Sequence, residues 1–271
     1  RPDVVAASLI EGNVAILCDN TPFALLAPAT FLSLFQSPED YYERWYIVSM
    51  IRILRFIAGF FAFAFPALYI AMTAFHPGML PTDLVLSIAA AREGVPFSAV
   101  VECLIMVIAL EILREAGVRL PGPIGQTIGI VGGLVVGEAA VRAGIVSPIM
   151  VIIVAVNAIS SFAIPNYSVA ISFRLLTFIM IALASIAGLY GVMLGLLGLT
   201  IHLVTLKSFG AHYLSPFVSF RFSEGKDTFI RGPIPSMEIR PGYTRPQDFD
   251  RINDRRHDTI DKAGDESADQ Q

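Results

Sequence analysis

Apolar residues fill long and nearly uninterrupted stretches in the middle of the chain, and short polar or proline-containing breaks separate them. Residues 97–116 and 124–144 are two such stretches, joined by a Pro-Gly-Pro turn at 121–123. Each has about the 20 residues that a helix needs to cross a bilayer. The pattern predicts an all-α polytopic membrane protein.

Further segments raise the expected number of transmembrane or re-entrant helices to five or six. A helix is expected to start at 37, where Ser-Pro-Glu-Asp supplies a cap and an acidic first turn, and to enter the bilayer over 56–75. Residues 82–93 are too few to cross, so this segment is expected to be re-entrant or interfacial. Residues 146–164 form another apolar segment.

The last apolar stretch, 168–209, is long enough to reach about 60 Å as a single helix, which is twice the thickness of a bilayer core. Two arrangements fit this length. A bend near Gly188 and Gly191 gives six crossings, whereas one long helix requires another segment to be only partly inserted.

The two ends of the chain are more polar than its middle. Residues 1–36 contain two short β-prone runs around a turn, which predict a β-hairpin remnant of a truncated cytoplasmic domain. Residues 37–209 are then the helical transmembrane domain. Residues 210–271 form a polar C-terminal tail, and its charged end is expected to be disordered.

Composition agrees with a membrane protein and excludes several classes. Hydrophobic residues make up 55% of the chain, charged residues make up 15%, and the mean hydropathy is +0.66. The net charge of −4 has no basic block, which argues against nucleic-acid binding. The sequence lacks a P-loop, HExxH, GxSxG or paired CxxC motif. We therefore expect no enzyme activity, no cofactor and no metal site.

Ionisable residues inside the apolar segments are the first candidates for function, because each costs roughly 2.5–3.5 kcal/mol near mid-bilayer. Glu111 has Arg114 at i+3 as a local partner, whereas Glu102 has no basic residue within one turn. Glu102 is therefore the better candidate for lining a pore or coupling to gating. The alternative is a carboxylate held by Arg92 or Arg174 from another helix, or kept protonated.

Two further polar residues are weaker candidates for pore or gating roles. Asn157 interrupts an apolar helix, where an amide more often forms an interhelical hydrogen bond than part of an ion path. Arg174 is interpreted first as an interfacial residue and only second as a gating residue.

Glycines at four-residue spacing predict helix packing. Gly125, Gly129, Gly133 and Gly137 fall on one stripe of the second central helix, where a neighbour or a symmetry copy can approach closely. The alternative is one buried helix within a monomer. Gly191 and Gly195 repeat the spacing more weakly.

Several motifs, in order along the chain, make this sequence similar to the A subunits of spore germinant receptors. The resemblance covers nearly the whole chain except about the last 20 residues, and the stage V sporulation protein AF is a close relative. The motifs are SPEDYYERW (37–45), IAAAREGVPF (88–97), EILREAGVRLP (111–121), PIGQTIGIVG (123–132), SFAIPNYS (161–168) and KDTFIR (226–231).

This resemblance implies a protein of the inner spore membrane with a cytoplasmic N-terminus, acting with a transporter-like B subunit and a lipoprotein C subunit. It further implies a homo-oligomer in membrane lipid that conducts cations when nutrient is sensed and so initiates germination. A non-conducting scaffold subunit is the alternative. A secondary transporter is less favoured, because the sequence shows no inverted pair of interrupted helices.

Overall fold

The computed structural model describes residues 2–119, 122–217, 227, 230–233, 240, 242–244 and 246, without the side chains at 122–128, 130, 131, 134 and 243. The chain divides into two compact units. One contains the described residues up to Ile53 together with those from Leu203 onward, and the other contains Leu54–His202. The disorder predicted for the end of the chain falls on 247–271, outside the described residues.

The first unit begins with a helix and a β-hairpin. Helix α1 is Pro2–Ile10, and strands β1 (Val14–Leu17) and β2 (Ala24–Ala27) pair antiparallel with Val14 opposite Ala27. The predicted hairpin is confirmed, whereas the sequence analysis did not anticipate α1. A shorter hairpin joins β3 (Lys207–Ser208) and β4 (Ala211–His212).

The helix predicted to start at Ser37 begins later than expected. Pro38–Tyr41 is a 3₁₀ turn, and helix α2 starts at Trp45. The reason is local: Asp40 N donates to Ser37 O at 3.0 Å and Tyr42 N donates to Glu39 O at 3.1 Å, which are i to i+3 bonds. Ser37 N also donates to Asp40 Oδ2 at 3.2 Å, so the predicted cap stands at the start of the 3₁₀ turn and not at the start of α2.

The second unit is helical, and the positions of its helices follow the predicted apolar segments; the first residues of α2 and the last of α7 belong to the first unit. Among the described residues, two helical stretches are long and apolar enough to cross a membrane: Trp45–Phe75, which includes a π-helical turn at Ala71–Phe75, and Tyr167–Thr205. The number of crossings remains a prediction. The helices are α2 (Trp45–Ile70), α3 (Thr82–Arg92), α4 (Ala99–Arg119), α5 (Gly122–Arg142), α6 (Pro148–Phe162) and α7 (Tyr167–Thr205).

Helix α7 is broken at Gly188, where φ is 60° and ψ is −135°. Residues fifteen apart on a straight helix lie about 22 Å from each other. A Cβ built on Gly195 would nevertheless lie 2.6 Å from Met180 Sδ. The chain therefore folds back at Gly188 into a first arm (167–187) and a second arm (189–205). Of the two arrangements predicted for this stretch, the structure has the bend and not the single long helix.

The six glycines predicted to mediate packing lie in different surroundings. A Cβ built on Gly191 would lie 2.0 Å from Leu183 O, so Gly191 and Gly195 both face the first arm. Gly125 lies outside the residues whose surroundings are described. Gly129 and Gly133 have no described atom within 4 Å of a built Cβ, whereas Gly137 would meet Val151 at 3.4 Å.

Within the described chain, α5 packs on α4 through a glycine next to the stripe. A Cβ built on Gly132 would lie 2.5 Å from Leu113 Cδ2, while the adjacent Gly133 is open. The open side at Gly129 and Gly133 leaves room for another helix, so packing against a second copy remains a prediction.

Gly195→Leu should destabilise the helical hairpin by about 1–3 kcal/mol, since overpacking forces side chains and backbone apart. Thermal unfolding followed by circular dichroism in detergent measures this loss. Gly198→Leu is the matched control, because a Cβ there meets no described atom within 4 Å. Equal losses of melting temperature in the two variants would contradict the packing role of Gly195.

Gly133→Leu should leave the unfolding temperature of the monomer close to wild type but reduce homo-oligomer formation, because its added side chain occupies only the open side of α5. Size-exclusion chromatography with light scattering measures the oligomer. Gly132→Leu is the comparison and should instead lower the unfolding temperature. Unchanged assembly in Gly133→Leu would remove the glycine stripe from the oligomer contact.

Candidate functional site

Glu102 lies at a junction of three helices in the second unit and is fully buried. Its Oε1 accepts a hydrogen bond from Arg92 Nε at 3.0 Å, and Arg92 Nη2 lies at the same distance. Its Oε2 accepts from the backbone N–H of Ser147 at 3.0 Å. The carboxylate on α4 therefore joins the end of α3 to the start of α6.

Local structure explains why both partners attract negative charge. Ser147 is the N-cap of α6, and its hydroxyl accepts from Met150 N at 3.4 Å. A helix N-terminus attracts negative charge through its free N–H groups and its dipole. Arg92 ends α3 and is 24% exposed, so its guanidinium reaches the buried carboxylate from the surface of the unit. The sequence analysis proposed Arg92 or Arg174 as a partner of Glu102, and the structure places Arg92 there.

Glu111 is held between two arginines on two helices. Arg114 Nη1 lies 2.9 Å from Glu111 Oε2, which is the expected i+3 pair, and Arg174 Nη1 lies 3.1 Å from Oε1. Arg114 also stacks over Phe162, and Arg174 stacks over Tyr167, at 5.5 and 5.6 Å from the ring centroids. We call Glu111, Arg114 and Arg174 the Glu111 cluster; its three charges sum to +1.

Asn157 forms hydrogen bonds between helices. Its Nδ2 donates to Ala62 O at 2.8 Å and to Phe61 O at 3.2 Å on α2, and Thr177 Oγ1 donates to the same Ala62 oxygen at 3.1 Å. Pro66 explains why the Ala62 oxygen needs donors from other helices. A proline has no N–H to donate to the carbonyl four residues earlier, which is that of Ala62. Asn157 and Thr177 replace the missing bond.

Sequence reasoning missed Thr177, although the signal for it was present. A proline inside an apolar helix leaves a carbonyl without its usual donor, so a hydroxyl or amide on a neighbouring helix is needed. The predicted pore or gating roles of Glu102, Glu111, Arg114, Asn157 and Arg174 remain predictions.

The first unit contains a charged network of its own, which the sequence analysis did not predict. Arg52, on α2, is 1% exposed; its Nε lies 3.0 Å from Asp40 Oδ2 and its Nη1 lies 2.8 Å from Asp227 Oδ1. Asp227 Oδ2 accepts from Tyr41 Oη at 2.7 Å, and its backbone oxygen accepts from Gln36 Nε2 at 2.7 Å. A residue of the predicted polar tail thus packs against the segment before α2.

Arg231 extends this network through backbone atoms. Its N–H donates to Ser49 Oγ at 3.1 Å, and its guanidinium donates to the backbone oxygens of Glu43 and Tyr41. The guanidinium carbons of Arg231 and Arg52 lie 5.3 and 5.6 Å from the centroid of the Tyr41 ring. Burial, with a contribution from the Asp227 charge, raises the pKa of Tyr41 well above its ordinary value, so its hydroxyl stays protonated as a donor.

The family model described as Bacillus/Clostridium GerA spore germination protein matches residues 1–243. The chain belongs to this family. The resemblance drawn from the six motifs is therefore confirmed, and it includes the two motifs that supply Tyr41 and Asp227. No solved structure matches the chain.

Individual relatives agree with the family. The chain is 50% identical to spore germination protein GerLA of Bacillus cereus over 248 residues, which is 92% of this chain and 50% of that protein. It is 53% identical to spore germination protein KA of Bacillus subtilis, covering 92% and 46%. It is also 53% identical to the Bacillus subtilis membrane protein YfkQ, covering 90% and 48%. The chain thus spans about half the length of these relatives, of which two are named as germination proteins and none as an enzyme.

Asp227→Asn should destabilise the first unit by about 2 kcal/mol, because it removes one of the two carboxylates that pair with the buried Arg52. Thermal unfolding in detergent, together with the rate at which protease cleaves the C-terminal segment, measures this effect. Glu138→Gln is the control: it breaks the exposed pair with Arg142, and such pairs contribute about 0–1 kcal/mol. Similar effects of the two substitutions would contradict a structural role for the network.

Proposed function

We propose that this chain contains the membrane part of the A subunit of a nutrient germinant receptor in bacterial spores, and that it forms a nutrient-gated cation channel as a homo-oligomer. Membership of the GerA spore germination family supports the role in germination. The observation that carries the channel proposal is Glu102, a fully buried carboxylate where α3, α4 and α6 meet, with Arg92 as its single charged partner among the described residues.

The geometry suggests how such a channel is held closed. While Arg92 neutralises Glu102, the junction carries no free charge that attracts a cation. Movement of Arg92 away from the pair leaves a carboxylate at the N-cap of α6, and a carboxylate of this kind draws cations into a pore. Nutrient binding favours the open state only as far as the receptor binds nutrient more tightly in that state.

The partners and location belong to the same proposal. Nutrient is sensed together with a transporter-like B subunit and a lipoprotein C subunit in the inner membrane of the spore, with the N-terminus in the cytoplasm. Support comes from the resemblance of the motifs to germinant receptor A subunits and from the two membrane-length helical stretches. The open side of α5 at Gly129 and Gly133 supports contact with a second copy.

A non-conducting scaffold subunit is the second candidate, and a specific observation favours it. Each of the five polar residues predicted to line or gate a pore already has a hydrogen-bonded partner within the described chain. Buried polar contacts of this kind also serve to specify how helices pack. In a scaffold, these pairs fix the arrangement of helices and no ion passes.

Glu102→Gln should lower potassium flux through the full-length receptor by about tenfold, since a unit charge about 4 Å from an ion contributes about 1 kcal/mol in water and more at lower dielectric. Arg92→Gln should have the opposite effect and raise flux without nutrient, because it frees the carboxylate. Proteoliposomes containing the full-length protein with its B and C partners allow both measurements.

The exposed pair of Glu115 and Arg119 supplies the control for that experiment. Glu115→Gln also removes one carboxylate from α4, but at a position 62% exposed, so flux should match wild type. If the receptor assembles and no preparation conducts, the scaffold function replaces the channel. If Glu102→Gln and Glu115→Gln reduce flux equally, the effect is one of net charge and not of the buried site.

A further inference from the structure

A small polar cleft lies beside the Glu111 cluster in the second unit, and Glu102 is not among its lining residues. It has a volume of about 20 Å³ and lies between α4, α6 and the first arm of α7. That volume holds about one water molecule or one oxygen of a larger group. Its polar lining residues are Glu111, Arg114, Asn157, Arg174 and Thr177.

The charges around the cleft do not cancel. Arg114 and Arg174 are 16% and 17% exposed, and both pair with the single carboxylate of Glu111, so the cluster carries one unit of excess positive charge. Each guanidinium offers five N–H donors in a planar fork, and Glu111 takes one nitrogen of each. Arg174 Nε is buried and has no hydrogen-bond partner among the described residues. The cleft therefore lacks one anionic acceptor.

The aromatic partners of the two arginines indicate where this acceptor comes from. Arg114 stacks on Phe162 at the end of α6, and Arg174 stacks on Tyr167 at the start of α7. Both rings are exposed, by 73% and 59%. Aromatic residues and arginines at the start of a membrane span lie at the level of the lipid headgroups, and a long arginine side chain reaches that level from one or two turns deeper.

We propose that the Glu111 cluster binds a phosphate group, with Arg114 and Arg174 as its ligands. Arginine forks match phosphate oxygens, and basic pockets between membrane helices bind anionic headgroups. One phosphate oxygen enters the cleft and the remainder of the group stays at its mouth. The phosphate belongs either to an anionic phospholipid or to free inorganic phosphate. The proposal uses only one part of the proposed function, that α7 crosses the membrane.

The lipid source is tested with the full-length protein in nanodiscs of phosphatidylcholine and a minor fraction of phosphatidylglycerol. Native mass spectrometry counts the phosphatidylglycerol that each protein retains. Arg114→Gln and Arg174→Gln should each retain about fivefold less than wild type, the factor that corresponds to one cation at a membrane surface. Arg119→Gln is the matched control, because Arg119 lies on α4 but is 78% exposed and paired with Glu115.

Glu111→Gln separates phosphate binding from a purely structural ion pair. It raises the charge of the cluster from +1 to +2, so it should retain at least as much phosphatidylglycerol as wild type. A loss in Glu111→Gln equal to that in the arginine variants means that the cluster only holds helices together and overturns the proposal. Wild-type retention in Arg174→Gln, or an equal loss in Arg119→Gln, rules out the lipid headgroup as the source.

The free-phosphate source is tested by titrating delipidated full-length protein in detergent with inorganic phosphate and, separately, with short-chain phosphatidylglycerol. A rise in melting temperature with the lipid alone, absent in Arg174→Gln, identifies the headgroup as the source. An equal rise with inorganic phosphate identifies free phosphate, and no rise with either probe overturns the proposal. Lipid retention and melting temperature are measured without ion flux, so a receptor that fails to conduct leaves this result unaffected.

Discussion

A polar group inside the apolar helical unit is surrounded by apolar side chains and has no water to bind. It therefore needs a hydrogen-bonding partner on a neighbouring helix. The packing of α2, α3, α4, α6 and α7 depends on this constraint. The carbonyl that Pro66 leaves without a donor brings Asn157 and Thr177 to α2. The carboxylate of Glu102 likewise brings Arg92 and the start of α6 to α4. Small-residue contacts then bring the two arms of α7 side by side at Gly191 and Gly195.

The two paired carboxylates of α4, buried Glu102 and partly exposed Glu111, have different charge balances. Glu102 and Arg92 sum to zero, so loss of the arginine creates a negative site. The Glu111 cluster sums to +1, and its surplus repels cations. A cation path through this unit therefore fits the Glu102 side of α4 and not the Glu111 side. The two residues are nine positions apart, about 900° of rotation, which already separates them onto opposite faces of the helix.

Much of the fold was predictable from the sequence, because long apolar runs bounded by proline, glycine and polar residues leave few alternatives to helices. The hairpin of β1 and β2 and the reversal at Gly188 have equally local causes. What the sequence left open depends on contacts between distant positions. Arg92 pairs with Glu102 ten positions later, whereas Arg174 pairs with Glu111, which lies 63 positions away. The packing of Asp227 against Tyr41 and Arg52 joins residues more than 170 positions apart, and no local pattern indicates it.

The geometry of Glu102 also bears on whether Arg92 is able to leave it. A fully buried carboxylate stripped of its only charged partner normally costs several kcal/mol, which would prevent the motion. Here Ser147 N–H still donates to Oε2, and the dipole of α6 contributes up to about 2 kcal/mol at a buried N-terminus. Arg92 is itself 24% exposed at the end of α3, and its Nη2 also donates to Phe97 O at 3.4 Å. Each half of the pair thus retains a stabilising contact when separated, which is the physical requirement for an ion pair that acts as a switch.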